Sequence, residues 1–157
     1  MIKYRPLSKD DIEIVKLLMR EYELQFPQFV INYYPERWSN YFDGISESEF
    51  WVATTLEDRV IGHAGHIFNS ELSMYEIVGV VVSKEYKRKG VGRELLEIVC
   101  SQIQKKNQNK VVLFTLGHPG NEATMDFYDS IGYIKTNYEE DFFREGYSRV
   151  TYMKEFK

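Results

Sequence analysis

Val80-Val81-Val82-Ser83-Lys84-Glu85-Tyr86-Lys87-Arg88-Lys89-Gly90-Val91-Gly92-Arg93-Glu94-Leu95-Leu96 holds the decisive pattern of this chain: an apolar strand, a basic turn and a helix opened by two glycines. The helix is amphipathic, since Val91, Leu95, Val99 and Ile103 recur every four residues. A turn of this kind leaves several backbone N–H groups unpaired and aimed at one place, at the positive end of a helix dipole. Glycine lets an anion approach the backbone closely, so a phosphate group is the natural occupant. Lys87, Arg88, Lys89 and Arg93 gather positive charge here, in a chain whose formal net charge is −4. A bare Gly-x-Gly on its own reads equally well as a tight solvated turn. Two phosphate loops fail at this position. Gly90-Val91-Gly92-Arg93-Glu94-Leu95 lacks the third glycine of a dinucleotide fingerprint, and no Gly-Lys-Ser/Thr makes a P-loop.

Outward from this turn, the periodicities predict further elements. Ile2–Arg5 reads as a strand stopped by Pro6. Ser8, Asp10 or Asp11 then caps a helix carrying Ile12, Val15, Met19 and Tyr22. Gln25–Tyr34 is irregular and aromatic, and Pro35 opens a short helix through Tyr41 and Phe42. Phe50–Leu56 and Arg59–Phe68 form a hairpin across Glu57-Asp58, followed by a third long strand, Met74–Val82. Beyond the glycine-led helix, Lys110–Leu116 is a buried-type strand. Thr124, Phe127, Tyr128 and Ile131 mark a helix stopped by Gly132, and Tyr133–Thr136 and Tyr147–Phe156 are the last strands. Three hairpin-linked strands followed by two crossovers imply an α/β fold of the mixed kind: a central mixed sheet of about seven strands with helices on both faces.

Composition bounds the function. A chain of 157 residues with no linker or repeat predicts one domain over 1–157. With 43% hydrophobic and 28% charged residues, wholesale disorder is excluded. Cys100 stands alone, which excludes an intramolecular disulfide and a Cys-rich zinc site. The acidic balance argues against a nucleic-acid partner. The longest apolar run, Ile77–Val82, is strand-sized, against the roughly 20 residues of a membrane span. The N-terminal Met1–Pro6 lacks the apolar stretch of a signal peptide, so the expectation is a soluble, cytoplasmic protein without a membrane partner.

Lys87-Arg88-Lys89-Gly90-Val91-Gly92 resembles the acyl-coenzyme A pyrophosphate loop of the GNAT superfamily of N-acetyltransferases, written Arg/Gln-x-x-Gly-x-Gly/Ala. Lys87 departs from the usual Arg or Gln at the first position. A second segment, Asn121-Glu122-Ala123-Thr124-Met125-Asp126-Phe127-Tyr128-Asp129-Ser130-Ile131-Gly132-Tyr133, is similar to the family's Asn-x-x-Ala-x-x-Phe-Tyr-x-x-x-Gly-Phe, with Thr124 in place of Ala. The resemblance runs from Ile2 to Met153-Lys154. It implies acetyl-coenzyme A as cosubstrate, its pyrophosphate held by the amides of Arg88 through Arg93, including Gly90, Val91 and Gly92. Lys87 and Lys89 add charge, and the backbone of Val80 and Val82 pairs with the pantetheine arm. Asn121 resembles the family's helix-start Asn, a cofactor contact, and is equally readable as an N-cap. A homodimer through the C-terminal strands is a further expectation of the resemblance.

Acetyl transfer to an amine needs a base, a stabilised thioester oxygen and a proton for the leaving thiolate. Glu76 opens the apolar strand, where desolvation raises a carboxyl toward a useful range for a base. By simple alternation it shares a face with Val78, Val80 and Val82. The resemblance adds that histone-type members carry their base glutamate eleven residues before the loop, as Glu76 precedes Lys87. A solvated strand-end carboxylate is the plain alternative. Tyr128 falls where the family's tyrosine protonates the leaving thiolate, and a packed core tyrosine is its plain alternative. His63 and His66, three apart on a strand, point to opposite faces and make a poor metal pair, and no metal is expected. His118 is an alternative base. Phe26, Phe29, Tyr33, Tyr34, Trp38 and Tyr41 are either a substrate-gating segment or satellite core.

The implied activity is transfer of acetyl from acetyl-coenzyme A to a primary amine, on a small molecule or a peptide or protein, by direct attack because no cysteine is placed to carry the acyl group. The acidic net charge suits cationic acceptors such as polyamines. A noncatalytic acyl-coenzyme A sensor and an interaction domain with an accidental glycine turn are the rivals.

Overall fold

Seven strands form one sheet in the order β1-β2-β3-β4-β5-β7-β6. The structure, a computed structural model, describes residues 1–156. The strands are β1 (Lys3–Pro6), β2 (Glu49–Thr54), β3 (Val60–Asn69), β4 (Met74–Val82), β5 (Lys110–Leu116), β6 (Ile134–Arg144) and β7 (Tyr147–Glu155). The helices are α1 (Ile12–Arg20), α2 (Gln28–Ile31), α3 (Tyr34–Phe42), α4 (Val91–Gln104) and α5 (Glu122–Ser130). Every neighbouring pair is antiparallel except β4–β5, which α4 joins as a parallel crossover. The sheet is therefore mixed and has helices on both faces, as expected. On one face Leu95, Leu96, Val99 and Ile103 of α4 pack with Ile61, Ile77, Val111 and Tyr128. On the other, Val15, Leu18 and Met19 of α1 meet Tyr34, Trp38, Phe50 and Val81. Among the described residues no helix is long and apolar enough to cross a membrane.

Several expectations are corrected. Pro6 belongs to β1 and lies opposite Trp51, because an edge strand has a side where a missing N–H costs nothing. Ser8 and Asp11 cap a short 3-10 turn rather than α1 directly, and α1 stops at Arg20, short of Tyr22. The stretch read as irregular contains α2. The largest difference is β6, which runs to Arg144 instead of ending at Thr136. It is the outer strand, exposed on both faces and broken by two register shifts, so it shows no alternation of apolar and polar residues.

β4 contains the irregularity that matters most. Gly65 of β3 lies opposite Val78, yet His63 lies opposite Val81, so Gly79 and Val80 together face one residue. This is a β-bulge, with Gly79 at φ 68°, where a Cβ would lie 2.7 Å from the His63 ring. The bulge reverses the alternation. Val78 and Val81 lie on the α1/α3 face, while Val80 and Val82 pack with the α4 face. Glu76 therefore shares its face with Val78 and Val81, not with Val80 and Val82.

His63 fastens the bulge. Its Nε2 accepts the Trp38 indole N–H at 3.1 Å, so Nδ1 carries the proton and donates to the Gly79 carbonyl at 2.7 Å. Burial pushes the ring down to about 4, against the Gly79 carbonyl, which favours the charged form. The unfolded chain then binds the proton first on acidification. Stability is complete above the ordinary value of 6.5 and is lost as pH falls from there through about 4, a loss of roughly 3 kcal/mol. The urea midpoint of wild type should fall relative to that of His63→Gln as the pH drops through that window, since the amide keeps both bonds without titrating. Parallel profiles would show that another group drives acid unfolding.

Candidate active site

β4 and β5 pair at only two positions, Glu76↔Val112 and Ile77↔Leu113. Beyond them β5 stays with β7 as far as Leu116↔Arg149, while Val78–Val82 remains with β3. The strands thus part, and a wedge opens at their C-terminal ends. Ser83 N–H donates to the Ile61 carbonyl, so alternation turns the backbone of Val82 the other way, toward the wedge. Two cavities meet there. One, of about 730 Å³, runs from Val80 and Val82 to the glycine turn. The other, of about 470 Å³, reaches Glu76 and the aromatic segment. Gln25, Val80 and Tyr128 border both.

The larger cavity ends in an anion cradle. Gly90, at φ 81°, begins α4, and its carbonyl accepts from the Glu94 N–H. The amides of Val91, Gly92 and Arg93 precede that first bond and have no acceptor within the helix. Arg88 is also left-handed, at φ 62°, and a Cβ on Gly90 would meet nothing within 4 Å. Lys87, Arg88 and Lys89 are exposed around the turn, with the Lys87 ammonium over the Tyr22 ring. The Val91 side chain is buried in the core, so only its amide faces the cradle. Arg93 leans on Glu97 at 3.5 Å. An arm entering the wedge would meet two side chains already there: Tyr22 donates to the Val82 carbonyl at 2.6 Å, and Gln25 to the Val80 carbonyl at 3.3 Å.

Asn121 stands at the start of α5 but does not cap it through its side chain. It is buried, and its Nδ2 donates to the Leu116 carbonyl at 2.7 Å and the Thr115 hydroxyl at 3.3 Å. Those bonds tie α5 to the C-terminal end of β5 on the cavity wall and set the position of Tyr128 about two turns further on. Tyr128 is packed among Phe127, Tyr133 and Tyr152. Burial, then the neighbouring phenols Tyr34 and Tyr152, hold its hydroxyl protonated well above the ordinary range.

Glu76 lies in the smaller cavity. Burial raises its carboxyl, opposed by Arg37, by a 3.2 Å hydrogen bond from Asn69 Nδ2, and by Arg149. It belongs to the α1/α3 side of the sheet and Tyr128 to the other, and the wedge lets both border one cavity. The aromatic segment divides. Phe26, Tyr34 and Trp38 are buried, Tyr33 is half exposed on the cavity wall, and Phe29 packs against Phe143 and Tyr147.

His118 borders neither cavity and packs at a tilt against Tyr147, and Cys100 packs under the Tyr133 hydroxyl with its thiol raised by burial. His63 and His66 face opposite sides, and among the described residues no group of three His, Cys, Asp or Glu could hold a metal. Tyr22, Gln25, Arg37, Asn69 and Arg149 were not singled out by the sequence. Arg37 had a signal, as a lone cation inside an aromatic stretch; the others become visible only through the fold.

The model of the acetyltransferase (GNAT) family matches residues 13–133, and the chain belongs to this family of acetyl-coenzyme A-dependent acetyltransferases. No curated protein sequence matches the chain. Among solved structures it is similar to a Desulfovibrio desulfuricans protein described as a GNAT-family acetyltransferase, with 18% identity over 99% of each chain and a TM-score of 0.84. A chimera of Vibrio cholerae spermidine N-acetyltransferase is 15% identical over 98% of this chain and 95% of that one, with a TM-score of 0.78. A Bacillus anthracis acetyltransferase in complex with acetyl coenzyme A is 18% identical over 70% of this chain and 63% of that one, with a TM-score of 0.63.

Proposed function

We propose that this chain is a single-domain, cytoplasmic N-acetyltransferase that moves the acetyl group of acetyl-coenzyme A to a primary amine by direct attack. The observation that carries this reading is the wedge between β4 and β5, with an anion cradle at one end and a carboxylate-bearing cavity at the other. The residues fit the cosubstrate. Amides from Arg88 to Arg93 would hold the pyrophosphate, with Lys87 and Lys89 adding charge, and Val80 and Val82 would pair with the arm. Asn121 keeps the wall beside it in place. Bound acetyl-coenzyme A supplies an activated acetyl thioester.

The chain's residues do the rest. Glu76 Oε accepts the proton of the acceptor ammonium, helped by the burial that raises its carboxyl. A backbone N–H on the Val80–Val82 strand stabilises charge at the carbonyl oxygen. Tyr128 holds a proton at Oη for the departing sulfur. An assay of free thiol across an amine panel, with thermal shift by acetyl-coenzyme A, tests the reading. Thiol release that depends on amine is the expected result. Tight cosubstrate binding with no release from any amine would make the chain a noncatalytic sensor instead.

A further inference from the structure

The wall of the smaller cavity is not that of a polycation site. It offers one deep carboxylate, Glu76, a second at the exposed rim, Glu71, and two guanidinium groups, Arg37 and Arg149, set among aromatic rings. The arginines differ. Arg149 donates to Glu139 at 2.8 Å and lies between the Phe114 and Phe142 rings, so its charge is already answered. Arg37 is half-buried over Tyr33 and Tyr34, at 5.6 and 5.0 Å from the ring centres. Among the described residues it enters no salt bridge. A partly desolvated cation with no carboxylate in direct contact is costly. It is also misplaced for a base that receives an ammonium proton, since it draws the Glu76 carboxyl down and repels the incoming cation. Both costs vanish when the acceptor brings its own anion.

We infer that the acceptor is an amine carrying a carboxylate on an apolar body, in the smallest case an apolar amino acid, with Arg37 as the partner of the carboxylate. The inference rests on the acetyltransferase reading above and narrows its substrate. The carboxylate meets Arg37, the ammonium meets Glu76, and the body lies against Tyr33, Phe142 and Phe143. In the transfer an N–C bond forms and the C–S bond breaks. The ammonium gives one proton to Glu76 before attack, the sulfur leaves with a proton from Tyr128, and the second proton shed by the nitrogen restores the Tyr128 hydroxyl, so one proton is released overall. The polyamine preference suggested by the acidic net charge is thereby reversed, because Arg37 stands at the cavity itself while most of the acidic surface is distant and screened.

The test compares leucine, methionine and phenylalanine with their amides, which keep the body and the amine but lose the negative charge, and with spermidine. The free amino acids should exceed their amides roughly 10- to 100-fold in kcat/KM, the range of one charge-assisted pairing. The comparison is conservative, because an amino amide holds more of its nitrogen unprotonated at neutral pH. Arg37→Gln should remove most of the ratio by raising KM for the carboxylates. Arg37→Lys should restore part of it, and the wild-type ratio itself depends on no variant. Amides acetylated as well as the acids, or spermidine acetylated best, would overturn the inference and leave acetyl transfer standing. Acetyl-coenzyme A binding with no turnover of any panel member would overturn both.

Discussion

Gly90→Asp should abolish stabilisation by acetyl-coenzyme A while the protein itself stays folded. The substituted Cβ meets open space, and the left-handed φ of 81° costs an aspartate on the order of 1 kcal/mol. A carboxylate at the start of α4 recovers part of that cost from the helix dipole. The same carboxylate places an anion at the cradle, competing for the amides of Val91, Gly92 and Arg93 and repelling the pyrophosphate. Wild type held at a hundredfold excess over its dissociation constant gains about 2.7 kcal/mol from the ligand, several degrees in melting temperature for a domain of this size. The variant should gain nothing. Lys87→Ala should lose far less, because backbone groups carry most of the anion binding and the Lys87 ammonium is already partly engaged over Tyr22. Unchanged cosubstrate affinity in Gly90→Asp would remove the loop from the site.

What could be read from the chain alone follows from how local each feature is. The glycine turn and the α5 segment are continuous in sequence and carry their chemistry in backbone conformation, so residue type and spacing suffice. β3, β4 and β5 are apolar runs buried on both faces and are equally plain. The bulge was not. A glycine inside Ile77–Val82 permits one without requiring it, and only the pairing with β3 shows that two residues share one place. The error it caused is specific: strict alternation put Glu76 with Val80 and Val82, where one extra residue separates them. The length of β6 beyond Thr136 went unread for the opposite reason, since a strand exposed on both faces has no apolar face to report it. The smaller cavity draws its wall from distant segments, among them α3, the turn after β3 and β7, and no window of sequence contains it.

Glu76→Gln and Tyr128→Phe should separate the two proton transfers. Glutamine keeps the shape of Glu76 and can still meet Asn69, but it cannot accept the ammonium proton. Phenylalanine keeps the packing against Tyr133 and Tyr152 and removes only the donor. Groups acting as general acid or base contribute about 10²–10⁴-fold, and each single-turnover rate should fall by that order. Single turnovers are the fair measure, because slow release of product masks a loss in the chemical step. The pH profiles then distinguish the variants. In its proposed role Glu76 works ionised, so the wild-type rate should fall as pH drops through its titration, which burial has moved above the ordinary carboxyl value of 4.5. That acid limb should disappear in Glu76→Gln and persist in Tyr128→Phe. Tyr128 is held protonated throughout the physiological range, so its loss lowers the rate at every pH without reshaping the profile. Cosubstrate affinity should change little in either variant, since the cradle lies at the far end of the wedge. An acid limb that survives in Glu76→Gln would assign the proton to water or to the acceptor itself. The carboxylate would then serve only to hold the ammonium, and the loss would appear in KM rather than in the rate of the bound state.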